Sequence, residues 1–290
     1  MSSSRGSRSR SRPARRSIPW LLWPALGLLG VVLSVSAQAP APAPSRPVPG
    51  PSPAAAPPAS NPAGAPAASA MDRPLQLVNE ARQAFAGVRD YSCVLLVQER
   101  VRGQLQPEHM IDMKVRSQPF SVYMRWLGPR QFAGQEACYV AGRNNNQMRV
   151  HSRGILGAVG FVSLDPRDPR VMEHSRHTIT EAGIGNIINR LAQAWETERQ
   201  LNLTQVNIAE YQYNQRRCVR VEAVHPDPSG GRFGSYRTVI YFDKENHLPT
   251  RVELYDWPRS GGAPGGELLE CYSYLNLRFN VGLGDATFNH

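Results

Sequence analysis

The chain predicts an α+β fold: one strongly curved antiparallel sheet with an N-terminal helix and a second, lid-like helix on its concave side. Three observations carry that class. Two groups of segments alternate apolar and polar residues with a period of two, the signature of strands with one wet face. A stretch with helical spacing heads each group. Short polar connections such as "KENH" link successive strands, where a parallel sheet would need long crossovers. The order helix, meander, helix, meander buries both helical stripes most economically when the sheet bends around them.

The 290 residues carry a formal charge of +10, but residues 1–70 hold seven Arg and no acid. The remaining 26 Lys+Arg face 23 Asp+Glu, so the basicity belongs mostly to the leader. No zinc-finger spacing, RNA-binding signature or basic helix appears, and a nucleic-acid partner is not expected. Residues 1–37 read as a signal peptide or an N-terminal membrane anchor: an Arg-rich start, then an apolar run from Ile18 to Ala37. Cleavage after Ala37 fits the small residues of "VSA", whereas an uncleaved run of residues 18–37 would anchor the chain in the inner membrane with its Arg cluster in the cytoplasm. Either outcome predicts export to the periplasm or cell envelope. No Cys precedes Cys93, which excludes lipoprotein attachment at the leader. Residues 38–70 are Pro/Ala repeats with nothing large to bury, and they predict a disordered tether.

Residues 71–290 then form one domain-sized stretch. Asp72 as cap and Pro74 in the first turn open a helix whose stripe is Leu77, Val78, Ala81, Ala84, Phe85 and Val88, and Gly87 helps to end it. In "YSCVLLVQERVRG", Cys93, Leu95, Val97 and Val101 share a face. Ile111, Met113 and Val115 alternate with Asp112, Lys114 and Arg116, and "SVYMRWL", "ACYVAG" and "QMRVHS" continue the meander. After the proline-punctuated "SLDPRDPR", Thr178 and Glu181 have the spacing of a capping box. Ile184, Ile187, Ile188, Leu191 and Trp195 follow at helical spacing, with Gly183 and Gly185 expected to loosen the first turn. Five more strands complete the chain: "LTQVNIAEYQY", "RRCVRVEAV", "RTVIYFD", "PTRVELYDW" and "LLECYSYLNLRF". Val239, Val252 and Leu254 are expected to face the second helix.

The segment "YFDKENHLPTRVELYDW" through "GLGDATF" resembles the C-terminal half of the periplasmic lipoprotein-carrier (LolA/LolB-like) fold. The matching residues are Asp243, Leu248, Pro249, Asn280, Leu283, Asp285 and Phe288. Over most of residues 75–290, including "RSQPFSVYMRWLGP" and "HTITEAGIGNII", the chain is more similar to an uncharacterised family of exported planctomycete-type proteins. The resemblance implies an incomplete barrel with a helical lid, a 71–290 half-barrel domain whose carrier relatives shelter acyl chains. It transfers no functional residue.

Cys93, Cys138, Cys218 and Cys271 are even in number but form no CxxC pair. Disulfides and packed thiols are both open readings, and four Cys allow three pairings. His174 and His177, beside Glu173, precede a helix without a third converging His, so no metal is expected. Glu99 and Asp112 are only neighbouring strand acids, and neither a GxSxG turn nor a phosphate-binding glycine loop appears. No catalytic residue and no cofactor is expected, with an uncharacterised hydrolase the minor alternative. The candidate ligand-binding residues are apolar: Phe120, Met124, Trp126 and Phe132 around the meander, and Ile184, Ile188 and Trp195 on the lid helix. They predict a non-enzymatic envelope protein that takes an apolar small molecule, lipid or acyl chain into a half-barrel cavity. The rival is an interaction module for an envelope protein or polysaccharide, its core fully packed.

Overall fold

Strand alternation of the kind seen in Ile111, Met113 and Val115 leaves one side of a sheet dry, and α1 and α3 cover that side. The structure, a computed structural model, describes residues 69–153, 160–226 and 232–290, all within one unit, Pro62–His290. The expectations for the leader and most of the tether lie outside the described residues. Helix α1 (Asp72–Phe85) leads into β1 (Asp90–Val101), β2 (Gln104–Leu105), β3 (His109–Arg116), β4 (Ser121–Gly128), β5 (Glu136–Val140), β6 (Met148–His151) and β7 (Val162–Leu164). A short α2 (Pro169–Met172) precedes α3 (Ile184–Leu201), and β8 (Gln205–Tyr213), β9 (Arg216–Val224), β10 (Arg237–Asp243), β11 (Pro249–Tyr255) and β12 (Leu268–Phe279) follow. Among the described residues no helix is long and apolar enough to cross a membrane.

All strand pairs are antiparallel, in the order β7-β6-β5-β4-β3-β1-β12-β11-β10-β9-β8, with β2 appended to β1. The two meanders join where the first strand meets the last, Leu95 opposite Tyr274 and Glu99 opposite Glu270. The sheet is curved and unclosed, an α+β incomplete barrel, as the sequence predicts. Its inner face is one apolar cluster that draws Leu95, Met113, Val122, Met124, Val221, Ile240, Phe242, Val252 and Tyr274 from the sheet, and Val78, Ile184, Ile188, Leu191 and Trp195 from α1 and α3. The tail residues of the resemblance have structural work: Asn280 Oδ1 accepts from the Arg89 N–H at 2.8 Å, Asp285 pairs with Arg116 at 2.7 Å and Arg143 at 2.8 Å, and Phe288 is buried beside Tyr123 and Cys138.

Several expectations are corrected. Asp72 does not cap α1; the cap is Met71, and Asp72 accepts from the Ser69 N–H instead. The Thr178–Glu181 capping box does not start α3. Those residues form a 3-10 turn, Ile179–Glu181, and α3 begins only after Gly183 at φ 99°, ψ 158°, a conformation that needs glycine. Gly183 and Gly185 are also points of close approach. A Cβ on Gly183 would stand 2.8 Å from the Tyr91 hydroxyl, and one on Gly185 2.7 Å from the Phe85 ring. Val239 faces outward with Cys218 and Tyr241, while its neighbours Ile240 and Phe242 face in. Six of the seven residues of β10 are buried, so its apolar run hides the period of two that would have oriented it.

The cysteines are four free, buried thiols. Cys93 lies in the inner cluster, whereas Cys138 and Cys218 belong to two separate outer ones. Burial pushes the Cys138 thiol up to about 11 and the Cys93 thiol higher still, which keeps both protonated and unreactive.

Candidate functional site

The inner face gathers most of the residues chosen as ligand-binding. Met124, Ile184, Ile188 and Trp195 are buried in its cluster, and Phe120 and Trp126 are half-buried at its margin. Phe132 is not part of it. Its ring lies tilted with its centre 4.6 Å from that of His109, which also accepts the Trp126 indole N–H at 3.0 Å, so a small aromatic group forms beside the inner face. Burial, and secondarily His174, lowers the pKa of His109 below its ordinary value and favours this neutral, accepting ring.

Helix α3 covers the inner face because its stripe runs unbroken from Ile184 through Ile187, Ile188, Leu191, Ala192 and Trp195. The exposures of Ile184, Ile188 and Trp195 are 0, 2 and 1%, so protein atoms surround each of them. In this state α3 fills the half-barrel as a plug. Sequence reasoning missed the residues on the opposite wall: Phe242, whose ring lies 6.2 Å from Trp195, and Tyr91, whose hydroxyl accepts the Ile184 N–H at 2.9 Å. Tyr91 opened a strand in the sequence and gave no sign that it would receive a helix start 93 residues away.

Each end of α3 is fastened by polar groups. At its C-terminal end, Glu198 meets His225 at 3.1 Å and accepts from Thr204 at 3.1 Å, all three buried. At the other end, the segment before α3 reaches two carboxylates that face each other on adjacent central strands, Glu99 of β1 and Glu270 of β12. The Arg176 N–H donates to Glu99 at 3.0 Å, the Arg176 guanidinium to Glu270 at 3.0 Å, and the His177 ring lies 2.8 Å from Glu270. The Tyr272 hydroxyl donates to Glu99. Burial opposes ionisation of Glu270, but His177 and Arg176 outweigh it and hold its pKa below the usual carboxylate range. A separate groove of about 630 Å³ lies between α1 and α3 on their solvent side. Its walls include Asp72, Gln76, Arg82, Gln193, Glu196 and Arg199, a composition unsuited to an apolar ligand.

The sequence profile of a family described as "Protein of unknown function (DUF1571)" matches residues 88–290, and the chain belongs to that family. No curated protein matches the chain. Among solved structures, it is similar to an uncharacterized conserved protein from Thermus thermophilus at 10% identity, covering 76% of this chain and 94% of that one, with a TM-score of 0.43. A putative outer membrane lipoprotein-sorting protein domain from Vibrio parahaemolyticus matches at 12% identity over 76% and 97% of the two chains, TM-score 0.34. The lipoprotein LppX of Mycobacterium tuberculosis matches at 10% identity over 73% and 98%, TM-score 0.42. At these identities no residue or ligand of theirs is carried to this chain.

Proposed function

We propose that the chain is a non-enzymatic cell-envelope protein that takes a lipid or acyl chain between the inner face of its sheet and α3, acting by burial rather than by reaction. One observation supports the reading above the others: the largest apolar surface of the sheet is covered by helices and not by a second sheet. A helix attached through flanking segments is a separable cover. The ligand would lie between the α3 stripe and the sheet, apolar surface against apolar surface, so lifting α3 would expose little to water. Phe120, Met124, Trp126, Ile184, Ile188 and Trp195 would line the opened space, with Phe132 at its margin.

A second reading, an interaction module for an envelope protein or polysaccharide with its core kept closed, has its own support. Ile184, Ile188 and Trp195 already touch protein on every side. In addition, β8 ends the sheet with most of its residues exposed, Tyr211 at 51% and Ile208 at 37%. Oleate and phospholipid titrations of the full chain separate the two. Carriage predicts a saturable change in emission that shrinks in Trp195→Phe and is lost when Trp126 is replaced as well, and a thermal midpoint that climbs with ligand concentration. Native mass spectrometry of protein purified from its own envelope should then find bound lipid. No emission change, no midpoint shift and no co-purified lipid would retire carriage in favour of the interaction module.

A further inference from the structure

Like charges placed directly opposite each other on neighbouring strands repel, and burial strengthens the repulsion. Glu99 and Glu270 are such a pair, 4% and 6% exposed, where the two meanders join. His177 brings an imidazole to the same point, and one ligating atom from each of Glu99, His177 and Glu270 lies within 4.8 Å of the others. We propose that these three side chains form a divalent-cation site of the zinc class, which pins the segment before α3 to β1 and β12.

Four features of the surroundings fit this assignment. The outer nitrogen of His177, Nδ1, lies 3.0 Å from Glu181 and 3.1 Å from the Arg190 guanidinium, so the ring is oriented from outside as metal-bound histidines are by a carboxylate. Glu99 is likewise oriented, one oxygen accepting from the Tyr272 hydroxyl and the other from the Arg176 N–H. The donors to Glu270, from Arg176 and His177, both fall on Oε2, so Oε1 takes no hydrogen bond among the described residues. The charges point the same way. Arg176 and Arg190 offset two of the three carboxylates Glu99, Glu181 and Glu270, so a cation that displaces the His177 ring proton meets one uncompensated negative charge. Two carboxylates and an imidazole are a donor set that zinc accepts.

The site goes beyond lipid carriage and does not depend on it. It is tested on the full chain, stripped with chelator and dialysed against Zn²⁺, with metal counted by elemental mass spectrometry. Residues 1–70 contain no His, Cys, Asp or Glu and contribute no competing ligands. One zinc per chain is expected. His177→Gln should lose stoichiometric zinc, and Glu270→Gln likewise. Glu181→Gln, acting through the imidazole, should weaken binding by about tenfold. Glu173→Gln, in the same loop but paired with Arg102, should bind as the parent does. A parent chain that takes up no stoichiometric zinc, or a folded His177→Gln or Glu270→Gln chain that keeps it, would overturn the site.

Discussion

The two faces of the sheet solve the same problem by different means. The inner face is apolar from β7 to β9 and depends on α1 and α3 to keep water away. On the outer face of β9 to β12, long side chains cover the sheet themselves. Arg237 lies 3.9 Å from the centre of the Tyr255 ring and pairs with Glu222 at 3.0 Å, while Arg251 donates to Ser273 and Tyr213 at 2.7 and 3.0 Å. The β10–β11 turn is fixed by Asp243, which accepts from the Glu245 and Asn246 N–H groups at 2.8 and 3.0 Å and pairs with Arg216. Directional contacts between the sheet's own strands cannot be exchanged for a ligand. The apolar contact between the α3 stripe and the sheet is non-directional and can be, and that difference places the candidate site on the inner face, between the polar fastenings at the two ends of α3.

Substitutions on each face test the contrast. The largest effect belongs to Trp195→Ala, which removes the biggest fully buried side chain and should cost about 3–5 kcal/mol in denaturant unfolding. Gly183→Ala comes next, at about 2–3 kcal/mol, because it combines a glycine-only backbone conformation with displacement of the Tyr91 hydroxyl. If Gly183→Ala were neutral, the α3 start would be loose as the sequence suggested, and the cover would be hinged there. On the outer face, Asp243→Asn keeps the turn acceptor and loses the ion pair, for about 1–2 kcal/mol.

The pH dependence of that last difference has a definite sign. Burial raises the Asp243 carboxyl, but Arg216 and the turn N–H groups outweigh it and hold its pKa below the ordinary Asp value of 3.8. Its stabilisation is therefore complete above that value and lost as pH falls through the lower folded one. Parent and Asp243→Asn should differ by a constant amount above about pH 5 and converge in acid. The smallest effect is expected from removing residues 1–68, which should leave unfolding of the remainder unchanged; limited proteolysis should trim to about residue 70 and stop.

Periodicity made most of the fold legible. Apolar strand patterns located β1, β3 to β6 and the five strands of the second meander, and spacing found the α1 and α3 stripes. It missed β2, β7 and α2, two to four residues each, which are too short to display a period. It misplaced Val239 because a strand buried on both faces carries no alternation. The candidate cluster was legible as composition, but whether it encloses space is a matter of three-dimensional packing. The Glu99–His177–Glu270 group was least accessible of all. Each residue is ordinary in its own segment, and the trio exists only because β1 pairs with β12 across 171 residues, with the loop before α3 laid over the seam.

Hydrogen exchange of the α3 backbone amides, with and without oleate, tests the separable cover most directly. If α3 can leave the sheet while the rest stays folded, its amides from Ile187 to Leu201 will exchange through an opening of lower free energy than those of β1 and β12. Oleate will then alter the protection of α3 while β1 and β12 keep theirs. Amides of α3 that exchange only with global unfolding, at the same rate with and without oleate, would contradict the account and leave α3 a permanent part of the core.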